Sequence, residues 1–285
     1  MIVEIGILDL LRLCGFDANC RSKLVRHQTK DWDCHDLLRR GWLDAYQELQ
    51  SKPVFDGLDC IISFIGVGGT RARLLGVYKV CSRRSASSGR ALPAGCPHEV
   101  WRRSSTYFYE LERLPGFESL EHRVIIEWGR ATLSWHQHTK NKPVVQILPK
   151  GHLLRLFTDY LDFTITHSEL RYLFAHEDAN REWRARLSAV AGVYLILATT
   201  TGQQYVGSAY GAEGLWGRWS AYASNGHGGN ILLRSLIETG SAYPNSFTYS
   251  ILQILPKTAT LSETLKWERL YKEKLGSTAM GLNAN

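Results

Sequence analysis

The stretch Gly192-Val193-Tyr194-Leu-Ile-Leu197, followed by Tyr205-Val206-Gly207, determines how the last third of the chain is interpreted. Residues 193–197 are apolar enough for a buried strand, and the Thr- and Gly-containing segment 199–202 is typical of a tight turn. Side chains on neighbouring strands of a hairpin can point to one place. The stretch therefore predicts a β-hairpin with one tyrosine on each strand.

A helix that carries an arginine is predicted after the hairpin, over residues 214–223. Leu215, Trp219 and Tyr222 recur at helical spacing, which indicates a buried face. Arg218 lies four residues before Tyr222, so the two side chains are neighbours on the helix. A guanidinium offers fixed, planar donors that suit a phosphate, although an arginine at this position is also compatible with simple solvation.

A second helix is predicted to begin at Thr260, because Glu263 three residues later completes a capping box, and to end at Gly276. One face of this helix carries, in order, Leu261, Leu265, Glu268, Lys272 and Leu275. A carboxylate within a largely leucine face is costly unless it is paired or binds a cation. Glu268 is therefore expected either to form an ion pair with Lys272 or to hold a metal ion.

The order and spacing of these residues resemble the GIY-YIG nuclease domain. The matching positions are Tyr194, Tyr205, Arg218, Tyr222, His227, Glu268 and Asn283. The resemblance implies an α/β domain with a small, mostly antiparallel sheet flanked by helices. It implies hydrolysis of phosphodiester bonds, with Arg218 at the scissile phosphate and Asn283 as a stabiliser of the site. It also implies one Mg²⁺ ion on Glu268, for which Mn²⁺ substitutes.

The roles of the tyrosines and of His227 follow less directly from the resemblance. Tyr194 is expected to position or deprotonate the attacking water, with Tyr205 in support. A free tyrosine has a pKa of about 10 and is a poor base at neutral pH unless its surroundings lower that value. His227 is either a further site residue or a loop histidine without a role. Some relatives have a lysine at the position of Ser208. The serine makes this segment resemble the homing and restriction branches and argues against a role in repair incision.

Upstream, residues 55–148 contain several short β-rich runs bounded by glycine, which suggests a small barrel or curled sheet. This region weakly resembles PUA-like domains such as EVE, YTH and ASCH modules, some of which bind a modified base in an aromatic pocket. Trp128 and Trp135 are the candidate aromatic residues, with packing in the core as the alternative. Arg83 and Arg84 begin a basic loop that is a candidate nucleic-acid contact.

The 285 residues and globular composition suggest two domains of α+β class. We expect a β-rich recognition domain with N-terminal helices at 1–150, a helical connector at 151–190 and the nuclease-like domain at 191–285. The net charge is +7, of which +2 lies after Gly192. A polyanionic partner would therefore be held mainly by the upstream part. The basic segment 21–30 is either a solvated loop or a phosphate contact.

The apolar runs are too short to span a bilayer, and Glu4 and Asp9 occupy a region that is basic in signal peptides. A cytoplasmic protein without membrane contact is therefore expected. The six cysteines show no CxxC spacing, which favours free thiols over a disulfide framework. A zinc site that includes Cys34 and His35 is the less favoured alternative.

The sequence thus favours a Mg²⁺-dependent DNA endonuclease with an upstream domain that selects the DNA, of restriction or antiviral defence type and dependent on a modified base. One alternative is a nucleic-acid-binding protein on a non-catalytic nuclease fold. Another is a homing endonuclease, although such enzymes usually carry their DNA-binding region after the nuclease domain. A single arginine and a single glutamate make one active centre, so cutting both strands requires a homodimer or two visits.

Overall fold

The computed structural model divides the chain into two compact units, Met1–Lys150 and Gly151–Asn285. It describes residues 4–29, 32–85, 95–97, 101, 105–131, 134–240, 242 and 244–283. Both units combine helices with a curled sheet, which confirms the predicted α+β class. Residues 86–94, which follow Arg83 and Arg84 in the predicted basic loop, lie outside the described residues.

In its described residues, the first unit has an eight-stranded sheet and three short helices whose bounds are known. The strands are β1 (Ser22–His27), β2 (Leu49–Gln50), β3 (Cys60–Gly66), β4 (Arg71–Ser85), β5 (Tyr107–Arg113), β6 (Val124–Glu127), β7 (His136–His138) and β8 (Val144–Ile147). The helices are α1 (Ile7–Leu13), α2 (Cys34–Arg39) and α3 (Leu43–Glu48).

The long strand β4 organises this sheet. Its first residues pair with β6 and its later residues with β5, while β3 pairs along its other edge. The main strand order is β2-β5-β4-β3-β1-β7, with β8 added beside β6. Within the described residues no pairing joins β2 to β7, so the PUA-like barrel is not confirmed.

Most of the basic segment 21–30 is not a solvated loop, because residues 22–27 form the interior strand β1. This strand runs parallel to β3 and antiparallel to β7. Arg26 is 4% exposed, and its guanidinium donates to the carbonyls of Gly69 and Arg71. His27 is also buried and hydrogen-bonds the Gln47 amide oxygen at 2.8 Å. Hydrogen bonds inside the unit therefore replace the solvation that the sequence predicts for these groups.

The second unit is built on a four-stranded antiparallel sheet flanked by helices, as predicted. Its strands are β9 (Thr164–Thr166), β10 (Val190–Ala198), β11 (Gln204–Ala209) and β12 (Phe247–Pro256), in the order β11-β10-β12-β9. Its helices are α4 (His167–Ala175), α5 (Arg181–Ser188), α6 (Gly214–Asn225), α7 (Ile231–Glu238) and α8 (Leu261–Leu275). Short 3-10 turns lie at Glu177–Asn180 and Pro244–Ser246.

Residues 151–190 belong to the second unit and are not a separate connector. Strand β9 pairs with β12 at the edge of the sheet. Phe163, Trp183 and Leu187 lie in the same core as the hairpin. The predicted connector is therefore part of the domain itself, because its apolar residues cover one face of the sheet.

A buried histidine at the start of α4 predicts acid-sensitive stability for the second unit. His167 is 3% exposed, its Nδ1 lies 3.1 Å from the Tyr249 hydroxyl, and burial, assisted by Arg171, lowers its pKa from 6.5 to about 4. The unfolded chain therefore binds a proton between these values that the folded chain does not. The stabilisation is complete above pH 6.5 and is lost as the pH falls towards 4, by roughly 2–3 kcal/mol.

Urea denaturation at pH 7 and pH 5, followed by tryptophan fluorescence, measures this loss. His167→Gln removes the titrating group and is expected to reduce the acid-induced loss. The control His176→Gln alters an exposed histidine and should leave the loss unchanged. An equal loss of stability in all three proteins would contradict the assignment to His167.

No helix among the described residues is both long and apolar enough to cross a membrane. None of the six cysteines forms a disulfide, and Cys34, Cys60 and Cys96 are buried. Within the described part of the chain, no group of three or more His, Cys, Asp or Glu side chains is arranged to hold a metal ion, which gives the zinc alternative no support.

Candidate functional site

The hairpin of β10 and β11 brings two tyrosine rings together. Tyr194 lies opposite Gly207 across the strands, and Tyr205 lies opposite Ile196, so the two rings are diagonal neighbours with centroids 6.5 Å apart. A Cβ on Gly207 would lie 2.5 Å from the Tyr194 hydroxyl. Glycine at 207 is therefore required by the close approach of the tyrosine.

Helix α6 supplies Arg218 and Tyr222, and its predicted buried face is confirmed. Leu215, Trp219 and Tyr222 are all fully buried, whereas Arg218 is half-buried. The hydroxyls of Tyr194 and Tyr222 lie 2.9 Å apart. Helix packing against the hairpin thus collects one arginine and three tyrosines, which are Tyr194, Tyr205 and Tyr222.

The guanidinium of Arg218 is fixed by three hydrogen bonds. Its Nε donates to the Tyr194 hydroxyl at 3.1 Å, Nη1 to the Gly228 carbonyl at 2.8 Å, and Nη2 to the Tyr222 hydroxyl at 3.1 Å. The guanidinium also lies over the Tyr222 ring, 4.9 Å from its centroid. Of its five N–H bonds, two, one on each terminal nitrogen, remain without a partner among the described residues. The guanidinium fork thus keeps two donors for an anion.

Tyr194, which is predicted to position or deprotonate the attacking water, does not face the solvent. It is 0% exposed, and its hydroxyl is engaged by Arg218 and Tyr222. Burial, assisted by Tyr205, raises the pKa of Tyr194. Burial also raises the pKa of Tyr222 well above its usual value. Both hydroxyls therefore stay protonated and serve to orient Arg218.

Burial alone would lower the pKa of Arg218, but the hydroxyls of Tyr194 and Tyr222 more than offset it and raise the pKa above the ordinary value. The guanidinium therefore keeps its charge in its half-buried setting. A fixed positive charge in a partly dry site interacts more strongly with a phosphate than the same charge in water.

Glu268 projects from α8, whose start at Thr260 and stop at Gly276 are as predicted. One carboxylate oxygen accepts the Ser208 hydroxyl, and the other lies 2.7 Å from Lys272 Nζ. The predicted ion pair is thus present. The leucine face, however, is not a core face: Leu261, Leu265 and Leu275 are 47%, 43% and 38% exposed. The leucines therefore do not surround the carboxylate. The Glu268 side chain is nevertheless only 14% exposed, and its contacts with Ser208 and Lys272 offset the cost of covering its charge.

A cleft of about 450 Å³ separates Glu268 from α6. Its lining residues are Tyr205, Ser208, Ala209, Tyr210, Glu213, Gly214, Gly217, Arg218 and Glu268. A tyrosine hydroxyl, a cationic fork and a carboxylate therefore share one open concavity. Tyr205 is 8% exposed, and its hydroxyl has no hydrogen-bond partner within the described residues, which leaves it available to a ligand.

His227 and Asn283 have structural positions next to this cleft. His227 Nδ1 accepts from the Gly229 N–H at 3.0 Å, and the ring closes the loop whose Gly228 carbonyl binds Arg218. The Asn283 side chain accepts from Val206 N and donates to Val206 O, at 2.9 and 2.8 Å. Asn283 thus fixes β11 beside Tyr205 and does not line the cleft.

Three participants are not evident from the sequence pattern as site residues. The Ser208 hydroxyl binds Glu268, and the Gly228 carbonyl binds Arg218. Glu213, the N-cap residue of α6, lines the cleft. The one available signal is that Ser208 directly follows the Tyr205-Val206-Gly207 segment. The fixing role of Asn283 is consistent with the predicted stabiliser.

The candidate nucleic-acid-binding residues of the first unit differ in how far they are buried. Trp128 is 0% exposed and packs on Phe64 at 6.0 Å, so it is a core residue and cannot stack on a base in this fold. Trp135 is half-buried beside Phe55. Arg83 pairs with Asp56 and Arg84 with Glu110 at the surface.

Comparisons with known proteins find two partial structural matches. No family model and no curated protein matches the chain. Two solved structures match, the catalytic domain of homing endonuclease I-TevI and a point mutant of the catalytic domain of intron endonuclease I-TevI. They are 27% and 26% identical, cover 33% and 34% of this chain and 98% and 94% of their own, and have a TM-score of 0.28. Because these TM-scores are low, any function must be inferred from the site itself.

Proposed function

We propose that this chain is an endonuclease that hydrolyses phosphodiester bonds in DNA at the cleft between β11, α6 and α8. The observation that carries the proposal is the Arg218 fork, which is held by two tyrosines and a carbonyl and faces the same cleft as Glu268. A phosphodiester needs charge stabilisation on its non-bridging oxygens, and preorganised donors provide it without reorganisation.

Each residue of the cleft has a different role in the proposed hydrolysis. Arg218 binds the non-bridging oxygens through its two remaining N–H bonds. The Tyr205 hydroxyl, on the cleft wall, orients the attacking water through a hydrogen bond. Tyr194 and Tyr222 are positioning residues, because they act through Arg218. Glu268, held by Ser208, presents its carboxylate to the phosphate region.

The donor set fits a divalent cation at Glu268. An ionised carboxylate offers about four lone-pair sites, and Ser208 and Lys272 occupy two of them. Mg²⁺ is commonly bound by one or two carboxylates together with water and phosphate oxygens. Glu268 would hold the ion, and Mn²⁺ would substitute for it. When bound, the ion supplies Lewis-acid stabilisation of charge at the phosphate and the leaving oxygen.

Cleavage of plasmid DNA by the full chain with Mg²⁺ tests the proposal, with Glu268→Gln as the variant. We expect nicking by the wild type and a loss of at least about 100-fold in the variant, the size of effect found for removing one charge-stabilising group. Glu263→Gln alters a carboxylate in the first turn of the same helix and is the matched control. Equal cutting by wild type and Glu268→Gln would contradict the proposal, whereas DNA binding without cutting would favour the non-catalytic alternative.

The first unit is proposed to select the substrate. Trp135 is half-buried, and Arg83 and Arg84 hold exposed ion pairs that a phosphate backbone can replace. The specific proposal is that the first unit selects base-modified DNA and gives the protein a restriction or defence role. The variant Trp135→Ala tests it. Loss of preference for methylated over unmodified phage DNA, with basal nicking retained, is the expected result. A wild type without any preference would exclude it.

A further inference from the structure

The Glu268 carboxylate lies between two concavities and contacts a different side chain on each side. On the cleft side its carboxylate accepts the Ser208 hydroxyl. On the other side lies a groove of about 550 Å³, lined by Leu265, Glu268, Arg269, Lys272, Glu273, Gly276, Thr278 and Ala279. Lys272 belongs to the groove, and its Nζ lies 2.7 Å from the second carboxylate oxygen.

The Lys272–Glu268 pair differs from the other ion pairs on helix surfaces of the second unit. Both side chains are only 14% exposed, whereas the same-spacing pair Arg186–Glu182 has exposures of 57% and 55%. Exposed pairs are strongly screened and contribute little, but a largely covered pair is screened much less. The contact between Lys272 and Glu268 is therefore persistent.

A persistent ammonium on this carboxylate has a consequence for cation binding. A dication and an ammonium that share one carboxylate repel each other at short range. A dication that binds Glu268 must therefore weaken or break the contact with Lys272. The groove provides space for the displaced side chain next to Glu273.

On the basis of the proposed function, we propose that Lys272 is a positioning residue that competes with the divalent cation for Glu268. In the cation-free protein Lys272 and Ser208 together hold the carboxylate at the cleft wall. Cation binding then includes the cost of displacing Lys272. The affinity of Glu268 for the cation is thereby kept low until other ligands, such as a phosphate, add to the site.

Binding of Mn²⁺ to the full chain in the absence of DNA tests this competition by isothermal titration calorimetry. We expect Lys272→Met to bind Mn²⁺ about ten-fold more tightly than the wild type, because the partly covered ion pair no longer has to be broken. Lys272→Arg retains the charge and is expected to keep the wild-type affinity. Lys266→Met removes an exposed lysine of the same helix and controls for net charge.

An unchanged or weaker affinity in Lys272→Met would overturn the competition, because it would mean that Lys272 only orients the carboxylate. The absence of Mn²⁺ binding in every variant would also overturn it. Lys272→Gln is a second neutral variant if the methionine variant does not fold. The proposed nuclease activity is tested separately. If Lys272→Met shows the ten-fold change but the wild type cuts no DNA, the competition is supported and the endonuclease proposal is rejected.

Discussion

Arg218→Met is expected to lower the single-turnover rate of DNA cleavage by about a thousand-fold, the magnitude found when a positively charged group that stabilises the transition state is removed. The guanidinium is the group of the cleft that is anchored on three sides and still has N–H donors for a phosphate. Lysine is not an equivalent replacement, because an ammonium cannot bind Tyr194, Tyr222, Gly228 and a phosphate in one plane. Arg218→Lys should therefore also lose most of the activity.

Arg234→Met is the matched control for this prediction, since Arg234 is an exposed arginine on α7 of the same unit. Its cleavage rate should stay close to that of the wild type. Removing Arg218 also leaves the Gly228 carbonyl and two tyrosine hydroxyls without their donor, so the stability of each variant is measured by thermal unfolding. Wild-type cleavage by a folded Arg218→Met protein would refute the assigned role.

Tyr205→Phe is expected to have the second-largest effect and to separate the two hairpin tyrosines. The Tyr205 hydroxyl lies at the cleft wall, so its removal should lower the cleavage rate by about 100-fold, because the attacking water is no longer oriented, with little change in stability. Tyr194→Phe removes buried hydrogen bonds to Arg218 and Tyr222. It should reduce stability by about 1–2 kcal/mol and reduce the rate less than Tyr205→Phe does.

Tyr210→Phe provides the control for both variants, because Tyr210 lines the cleft but is 50% exposed. Cleavage rates and urea denaturation curves are measured for all three proteins. A larger loss of rate in Tyr194→Phe than in Tyr205→Phe, without loss of stability, would restore the sequence-based assignment of Tyr194 as the base.

Local patterns in the sequence predicted the hairpin of β10 and β11 and the helices α6 and α8 of the second unit. The capping box at Thr260, the apolar face of α6 and the short turn of the hairpin depend on residues within a few positions of one another. The same locality explains why Arg218 and Tyr222 were expected to be neighbours. Such features are determined by helix and strand periodicity, which the sequence displays directly.

Long-range contacts could not be predicted in this way. The Ser208–Glu268 hydrogen bond joins residues 60 positions apart, and no local pattern indicates it. The leucines of α8 have helical spacing, but spacing does not show whether a face is covered, and this face is largely exposed. Arg26 and His27 indicated a solvated segment, yet tertiary hydrogen bonds allow both to be buried in β1.

The central claim is hydrolysis of a phosphodiester at the Arg218–Glu268 cleft. It is tested most directly by cleaving DNA in ¹⁸O-labelled water and measuring the masses of the products by mass spectrometry. Attack by water places one labelled oxygen on the product phosphate. We expect this label in products of the wild type and at least about 100-fold less labelled product from Glu268→Gln. Products without the label, or labelled products in equal amount from the variant, would contradict the claim.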